Sequence, residues 1–254
     1  MLKKRLIPLL LLDNERVWKS KQFNNCRDVG APRTAGKVYE NQHADELCIL
    51  NIGENHDSFR NLVKYTRIIS ENCCMPLTIG GGINSFLQAQ ELFDNGADKV
   101  VLNSINYSDI KVLEEIANIY GSQAAVVCID VRFDAHRNDY SLYSARGRVL
   151  EGITLREHIF KCDLHGAGEF LIQSIDRDGM MDGLDIKLGH IASKSTSTPV
   201  VLAGGVGSYA HIEAAFKELS LSGIACASIF HFTDSNPLRA SAYLANAGFS
   251  IKKV

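Results

Sequence analysis

Apolar residues gather in short runs that return about every 30 residues, at 6–12, 46–52, 75–79, 99–103, 124–130, 169–175, 199–203 and 224–229. Most runs are continuous and do not alternate. That is the pattern of parallel strands covered on both faces. Between them the spacing changes to three and four. Residues 60–72 place Leu62, Val63, Tyr65, Ile68 and Ile69 in that rhythm. Residues 109–120 put Ile110, Leu113, Ile116 and Ala117 on one face, with charges opposite. Segments 85–95 and 208–219 follow glycine-rich turns and read as helices too. Eight strand–helix units in 254 residues predict an α/β fold, one (β/α)8 TIM barrel domain over 1–254. An open doubly wound sheet is the alternative.

The chain also repeats itself. ADELCILNI at 44–52 faces AGEFLIQSI at 167–175, an offset of 123. PLTIGGGI at 76–83 faces PVVLAGGV at 199–206 with the same offset. Asn103-Ser104 faces Ala227-Ser228 at 124. A near-constant offset of half the chain predicts two similar half-barrels of four units each. Equivalent turns then lie on opposite sides of the barrel mouth. Two polar stretches, 13–30 and 131–152, follow the first and fifth strands. They predict long loops over that same mouth, because the loops after strands form the active face.

Composition narrows the function classes. Hydrophobic residues make up 46%, and 27 Lys+Arg against 29 Asp+Glu leave a formal net charge of −2. Disorder is excluded by that apolar fraction, and the charge balance argues against a nucleic-acid binder. The seven cysteines include no C-x-x-C pair, and most sit in apolar runs. They read as reduced thiols of a cytoplasmic protein. Met1 to Arg5 and the run after it imitate a signal peptide. That run is broken by Pro8, and Asp13-Asn14-Glu15-Arg16 stands where a small-residue cleavage site belongs. No apolar stretch approaches the ~18–20 residues of a membrane span. The eight histidines show no metal-ligand spacing, so neither a metal nor another cofactor is expected.

Chemistry concentrates at the strand ends. Gly80-Gly81-Gly82 closes the third strand and Asn103-Ser104 the fourth. Gly204-Gly205 with Gly207 closes the seventh, and Ala227-Ser228 the eighth. Glycines let backbone N–H groups approach an oxyanion, and a following helix N-terminus favours negative charge. Two matched sites predict a long ligand with a phosphate at each end; tight turns without a ligand are the alternative. Asp130 ends the fifth strand, where a carboxylate reads as a general acid or base. Asp178 and Gly179, in a dense polar turn after the sixth strand, add backbone donors to the second site. At the opposite face Arg5, Glu46, Lys99 and Glu169 each begin a strand. Their alternating signs predict a ring across the bottom opening, either a structural plug or a gate.

These motifs carry a resemblance. KKRLIP, GAPRTAGKVYENQHADEL, PLTIGGGI, GADKVVLNS, GSQAAVVCID, GAGEFLIQSIDRDGMMDGLD, PVVLAGGVGS and SIFHF together resemble the HisF family, the cyclase subunit of imidazole glycerol phosphate synthase. The resemblance covers nearly the whole chain. It implies docking of a HisH-type glutaminase as a heterodimer, with ammonia passing through the barrel to the top face. There the family joins ammonia to a bis-phosphorylated ribulosyl aminoimidazole carboxamide, giving imidazole glycerol phosphate and an aminoimidazole carboxamide ribotide. By the resemblance, Asp130 is one of two catalytic aspartates and Lys19 a loop lysine near the substrate. Gly82, Asn103 and Ser104 form one phosphate site; Asp178, Gly179, Gly205 and Ser228 form the other. Arg5, Glu46, Lys99 and Glu169 gate ammonia entry, and Asp98 lies at the glutaminase interface.

One departure changes the expected activity. The family's other catalytic aspartate falls at position 11, in a segment like Cys-Leu-Asp-Val, but here the run is Leu9-Leu10-Leu11-Leu12. Arg5, Pro8, Arg16, Val17 and Lys19 all stay in register, so no gap restores it. An aspartate after the second strand has become Asn51. Asp13 shares the strand parity of Leu11 but lies about 6.6 Å further along, at ~3.3 Å per residue. Losing one acid–base group costs roughly 10²–10⁴ in rate. HisF-like chains with this leucine run resemble those that accompany sugar amidotransferases in surface-polysaccharide synthesis, where the pair delivers ammonia for an acetamidino sugar. The sequence therefore predicts such a paralogue with impaired cyclase activity. A fully active cyclase of histidine biosynthesis is the alternative, and a purely structural scaffold a third.

Overall fold

The computed structural model describes residues 3–252. Its first strand, β1 (Arg5–Asp13), is leucine-rich because its side chains serve two layers. Leu6, Leu10 and Leu12 face the helices, while Ile7, Leu9 and Leu11 face the barrel interior. The chain then turns into an antiparallel ribbon, β2 (Arg16–Lys21) and β3 (Asn24–Gly30), before α1 (Pro32–Asn41). Next come β4 (Leu47–Asn51), α2 (Ser58–Ser70), β5 (Leu77–Gly80), α3 (Phe86–Asp94) and β6 (Lys99–Leu102). A short α4 (Ile105–Ser108) and α5 (Lys111–Tyr120) lead to β7 (Ala125–Asp134). A second ribbon follows, β8 (Asp139–Ser144) with β9 (Val149–Leu150), then α6 (Leu155–Leu164) and β10 (Glu169–Ser174). The chain ends with α7 (Ile186–Ser195), β11 (Val200–Ala203), α8 (Tyr209–Glu218), β12 (Gly223–Cys226), α9 (Ser228–Phe232) and α10 (Pro237–Asn246).

Eight parallel strands close on themselves in the order β10-β11-β12-β1-β4-β5-β6-β7, with β7 pairing β10 to complete the ring. This is the expected (β/α)8 barrel, not an open sheet. Its half-barrel symmetry shows in the ribbons: β1 hands on to antiparallel β2 and β7 to antiparallel β8, the same device half a barrel apart. The polar stretches 13–30 and 131–152 are thus β-ribbons, where the sequence predicts loops. Backbone pairing to the extended barrel strand satisfies their N–H and C=O groups, so few apolar side chains are needed.

Helix starts are chemically marked. Ser85, Thr154, Asp185, Ser208 and Asn236 each accept a hydrogen bond from a backbone N–H of the helix they open. Thr154 and Glu157 close a full capping box. Among the seven thiols, Cys48, Cys128, Cys162 and Cys226 are buried, but Cys26 and Cys74 are exposed. Among the described residues no helix is long and apolar enough to cross a membrane.

Candidate active site at the barrel mouth

Strand parity places the side chains. Val126 and Cys128 face the bore, so Asp130, two further on, faces it at the top of β7. It is buried, and its Oδ2 accepts 2.8 Å from Asn103 Nδ2. Cys128 Sγ lies 3.6 Å from Oδ1. Burial pushes its carboxyl from 3.8 up to about 7, against the hydrogen bonds from Cys128 and Asn103. A carboxyl poised near neutrality can both take and give a proton.

Leu11 occupies the matching place on β1. It is buried among Ile7, Leu9, Leu50 and their neighbours inside the bore. Asp13 does not replace it. Its Oδ1 accepts from Asn14 Nδ2 at 3.1 Å, and the same oxygen lies beside Gly53, in the loop after β4. Asn51 is likewise engaged locally, its Oδ1 accepting from Gly53 N at 3.0 Å.

The second predicted phosphate site is gathered into one cavity. Lys19, Asp178, Gly179, Gly204, Gly205 and Ser228 line one small cavity at the mouth. Gly205 has φ +97°, and a Cβ there would meet Gly183 O at 2.0 Å, so only glycine fits. Ser228 is buried and opens α9, whose five residues make it a turn with free N–H donors and only a weak dipole. Asp178 plays a different part from the one expected. Its own N–H is committed to the Ser174 and Ile175 carbonyls. Its carboxylate accepts from Lys19 Nζ at 2.5 Å, Ser20 Oγ at 2.6 Å and Phe23 N at 3.2 Å. Asp178 therefore clamps the β2–β3 ribbon and holds Lys19 at the cavity. A Cβ on Gly179 would meet Ser20 O at 2.5 Å, so this glycine admits the ribbon.

The first predicted phosphate site is looser. Gly82, at φ +79°, is exposed, and a Cβ there would meet only Asn51 Nδ2, at 3.6 Å. Asn103 turns its amide to Asp130, leaving its Oδ1 buried without a partner. Ser104 is exposed, and its Oγ accepts from Ala145 N at 3.0 Å. The helix after it, α4, is four residues long. The two ribbons meet above: Phe23 packs near Gly147. Arg146 spans from the second ribbon to Glu54 at 2.5 Å.

At the bottom the four predicted charges form a closed ring. Arg5 pairs with Glu46 at 2.6 Å and with Glu169; Lys99 reaches Glu46 at 3.0 Å and Glu169 at 2.8 Å. Thr78 Oγ1 donates to Glu46 at 2.5 Å. Burial alone would raise the Glu169 carboxyl, but hydrogen bonds and charge from Arg5 and Lys99 hold it below its ordinary value. Asp98 is exposed beside the ring, with its Oδ2 accepting from Leu77 N at 2.8 Å.

Gln173 carries no motif and escapes a sequence reading, hidden in the apolar run LIQSI. It lines the same cavity as Gly205 and is 3% exposed. The signal was parity: Glu169, Leu171 and Gln173 share one face of β10, and Glu169 is in the ring. Among the described residues no cluster of three or more His, Cys, Asp or Glu is placed to hold a metal ion.

The family model of histidine biosynthesis proteins matches residues 5–236. The imidazole glycerol phosphate synthase subunit HisF of Clostridium botulinum (strain Okra / Type B1) is 33% identical over 252 residues, covering 99% of this chain and all of that protein. The HisF subunit of the Kyoto / Type A2 strain matches equally, at 33% over 252 residues. With a closed (β/α)8 barrel and a relationship spanning nearly its whole length, the chain belongs to the HisF family of histidine biosynthesis proteins.

Proposed function

We propose that this barrel takes glutamine-derived ammonia from a HisH-type glutaminase at its bottom face but cyclises poorly. Its ammonia then serves a sugar amidotransferase of surface-polysaccharide (acetamidino sugar) synthesis. The observation that carries this reading is Leu11, an apolar side chain packed in the bore at the position of a family carboxylate. Asp13 is engaged with Asn14, and Asp178 is neutralised by Lys19. Asp130 is left as the proton-transferring carboxyl of the mouth, and one carboxyl cannot act as acid and base on opposite sides of a substrate.

The remaining parts fit ammonia transfer to a phosphorylated acceptor. Arg5, Glu46, Lys99 and Glu169 close the bottom as the gate. The bore above them is lined by Ile7, Cys48, Val101, Val126, Leu171 and Val201. An apolar bore passes neutral ammonia and resists ions, whose desolvation is costly. At the top, backbone donors at Gly205 and Ser228, with Lys19 nearby, receive one phosphate. Gly82, Asn103 and Ser104 receive the other.

A fully active cyclase is the second reading. It is favoured by Asp130, whose carboxyl sits near neutrality, and by full-length similarity to HisF subunits. Turnover of the bis-phosphorylated ribulosyl aminoimidazole carboxamide with free ammonium separates the two. We expect a wild-type rate at least ~10² below an ordinary cyclase, on the scale of one lost acid–base group. Leu11→Asp recovers part of it. Wild-type turnover at the ordinary rate would sink the proposal, and failure of both proteins would favour the delivery role.

A further inference from the structure

The inward-facing residues at the top of the bore form two register pairs. Leu11 lies opposite Leu50 across β1 and β4, and Asp130 lies opposite Gln173 across β7 and β10. The 123-residue repeat makes Leu50 and Gln173 equivalent positions. One half-barrel thus offers an apolar pair, and the other a carboxyl beside a carboxamide.

Gln173 is 3% exposed, yet its carboxamide makes no hydrogen bond to any described residue. The amide oxygen and nitrogen are not themselves shut off: neither is among the fully buried atoms without a partner, so both keep an opening at the cavity wall, where a leucine or methionine would offer no polar group. The amide borders the cavity that also holds Gly205 and Ser228. Its register partner on the next strand is Ala203, directly before Gly204-Gly205. Ser228 shares this condition: the residue is largely buried, but its hydroxyl, without a partner among the described residues, keeps an opening at the same cavity wall. Two unengaged polar side chains therefore border one glycine-lined space, with Leu9 as the apolar wall.

We propose that Gln173 is a specificity-determining residue that hydrogen-bonds the polar group adjoining the phosphate of a phosphosugar seated between Gly204-Gly205 and Ser228. The inference rests on the phosphate reading of that cradle. A carboxamide offers a donor and an acceptor at once, which suits a sugar hydroxyl or carbonyl, and it adds no charge beside Asp130. The leucine pair across the bore gives no such contact, so the ligand's polar edge lies against β10.

The test follows binding at the Ser228 amide resonance, so that only this cradle is read. Inorganic phosphate and D-ribulose 5-phosphate are titrated separately into wild type and Gln173→Met, a substitution of similar size. The sugar phosphate should lose about 3- to 10-fold in affinity in the variant, the worth of one hydrogen bond, while phosphate stays within about twofold. Equal loss for both ligands, or loss for neither, overturns the role of Gln173 and leaves the cradle standing. If neither ligand shifts Ser228 in wild type, the cradle reading fails and the inference with it. Should the methionine variant not fold, Gln173→Leu removes the amide without adding charge, and the same ratio decides.

Discussion

Asp130 shows how much one carboxyl depends on what surrounds it. Its position at a strand end is plain in the sequence, but its proton affinity is not. That comes from burial inside the closed barrel, which outweighs the hydrogen bonds from Cys128 and Asn103 that favour the ionised form. The folded state keeps its proton up to about pH 7, whereas the unfolded chain releases it near 3.8. Proton binding therefore supports the fold fully below the unfolded value, and that support is lost as pH rises from about 4 to about 7. An asparagine at this position cannot ionise and escapes the loss. Asp130→Asn should melt several degrees above wild type at pH 8, with a markedly smaller gap at pH 4.5, each kcal/mol moving a chain of this size by about 2–4 °C. Calorimetry at the two pH values reads the difference. An equal gap at both would mean that the carboxyl ionises as it does in water.

At the scale of elements, the eight barrel strands are legible because each must be apolar on both faces, and the composition of the runs records that. The ribbons are not legible for the opposite reason. β3 is almost wholly exposed, and β2 buries Val17, Lys19 and Ser20 in no regular alternation. Their shape comes from pairing of β2 to β1 and from the turn after β10, where the Asp178 carboxylate and the Asp176 and Asp178 carbonyls accept from the ribbon. Asp178→Ala leaves Lys19 buried without its counter-ion, which would cost about 3–5 kcal/mol if the ribbon stayed in place. The ribbon can instead swing its lysine into water, which limits the cost to that of local opening. Hydrogen exchange should rise by at least tenfold across 16–30 and stay unchanged in β4, β5 and β10. A uniform rise in the barrel strands would show that the ribbon does not open on its own.

The whole molecule has two unlike ends joined by an apolar bore. The top is built from glycine turns and the Asp130 carboxyl; the bottom is sealed by two cations and two anions whose charges cancel. Such a ring tolerates burial only because every member is paired, and a partner that opens it must do so without stranding a charge. Asp98 stands at that end, and under the proposed docking it would have a double duty. One oxygen fixes the Leu77 N–H at the start of β5, and the rest of the carboxylate is free to meet the proposed glutaminase. Charge reversal alone would confuse the two, because arginine also removes the acceptor for Leu77. Asparagine separates them, since its carbonyl still accepts from that N–H while the charge is gone. Affinity for a HisH-type glutaminase, measured by light scattering and titration, should fall in the order wild type, Asp98→Asn, Asp98→Arg. The last should lose at least ~10-fold through like-charge repulsion across the interface. The melting temperature of Asp98→Asn should match wild type. If Asp98→Arg pairs as tightly as wild type, the glutaminase docks elsewhere, and Asp98 serves only to hold the start of β5.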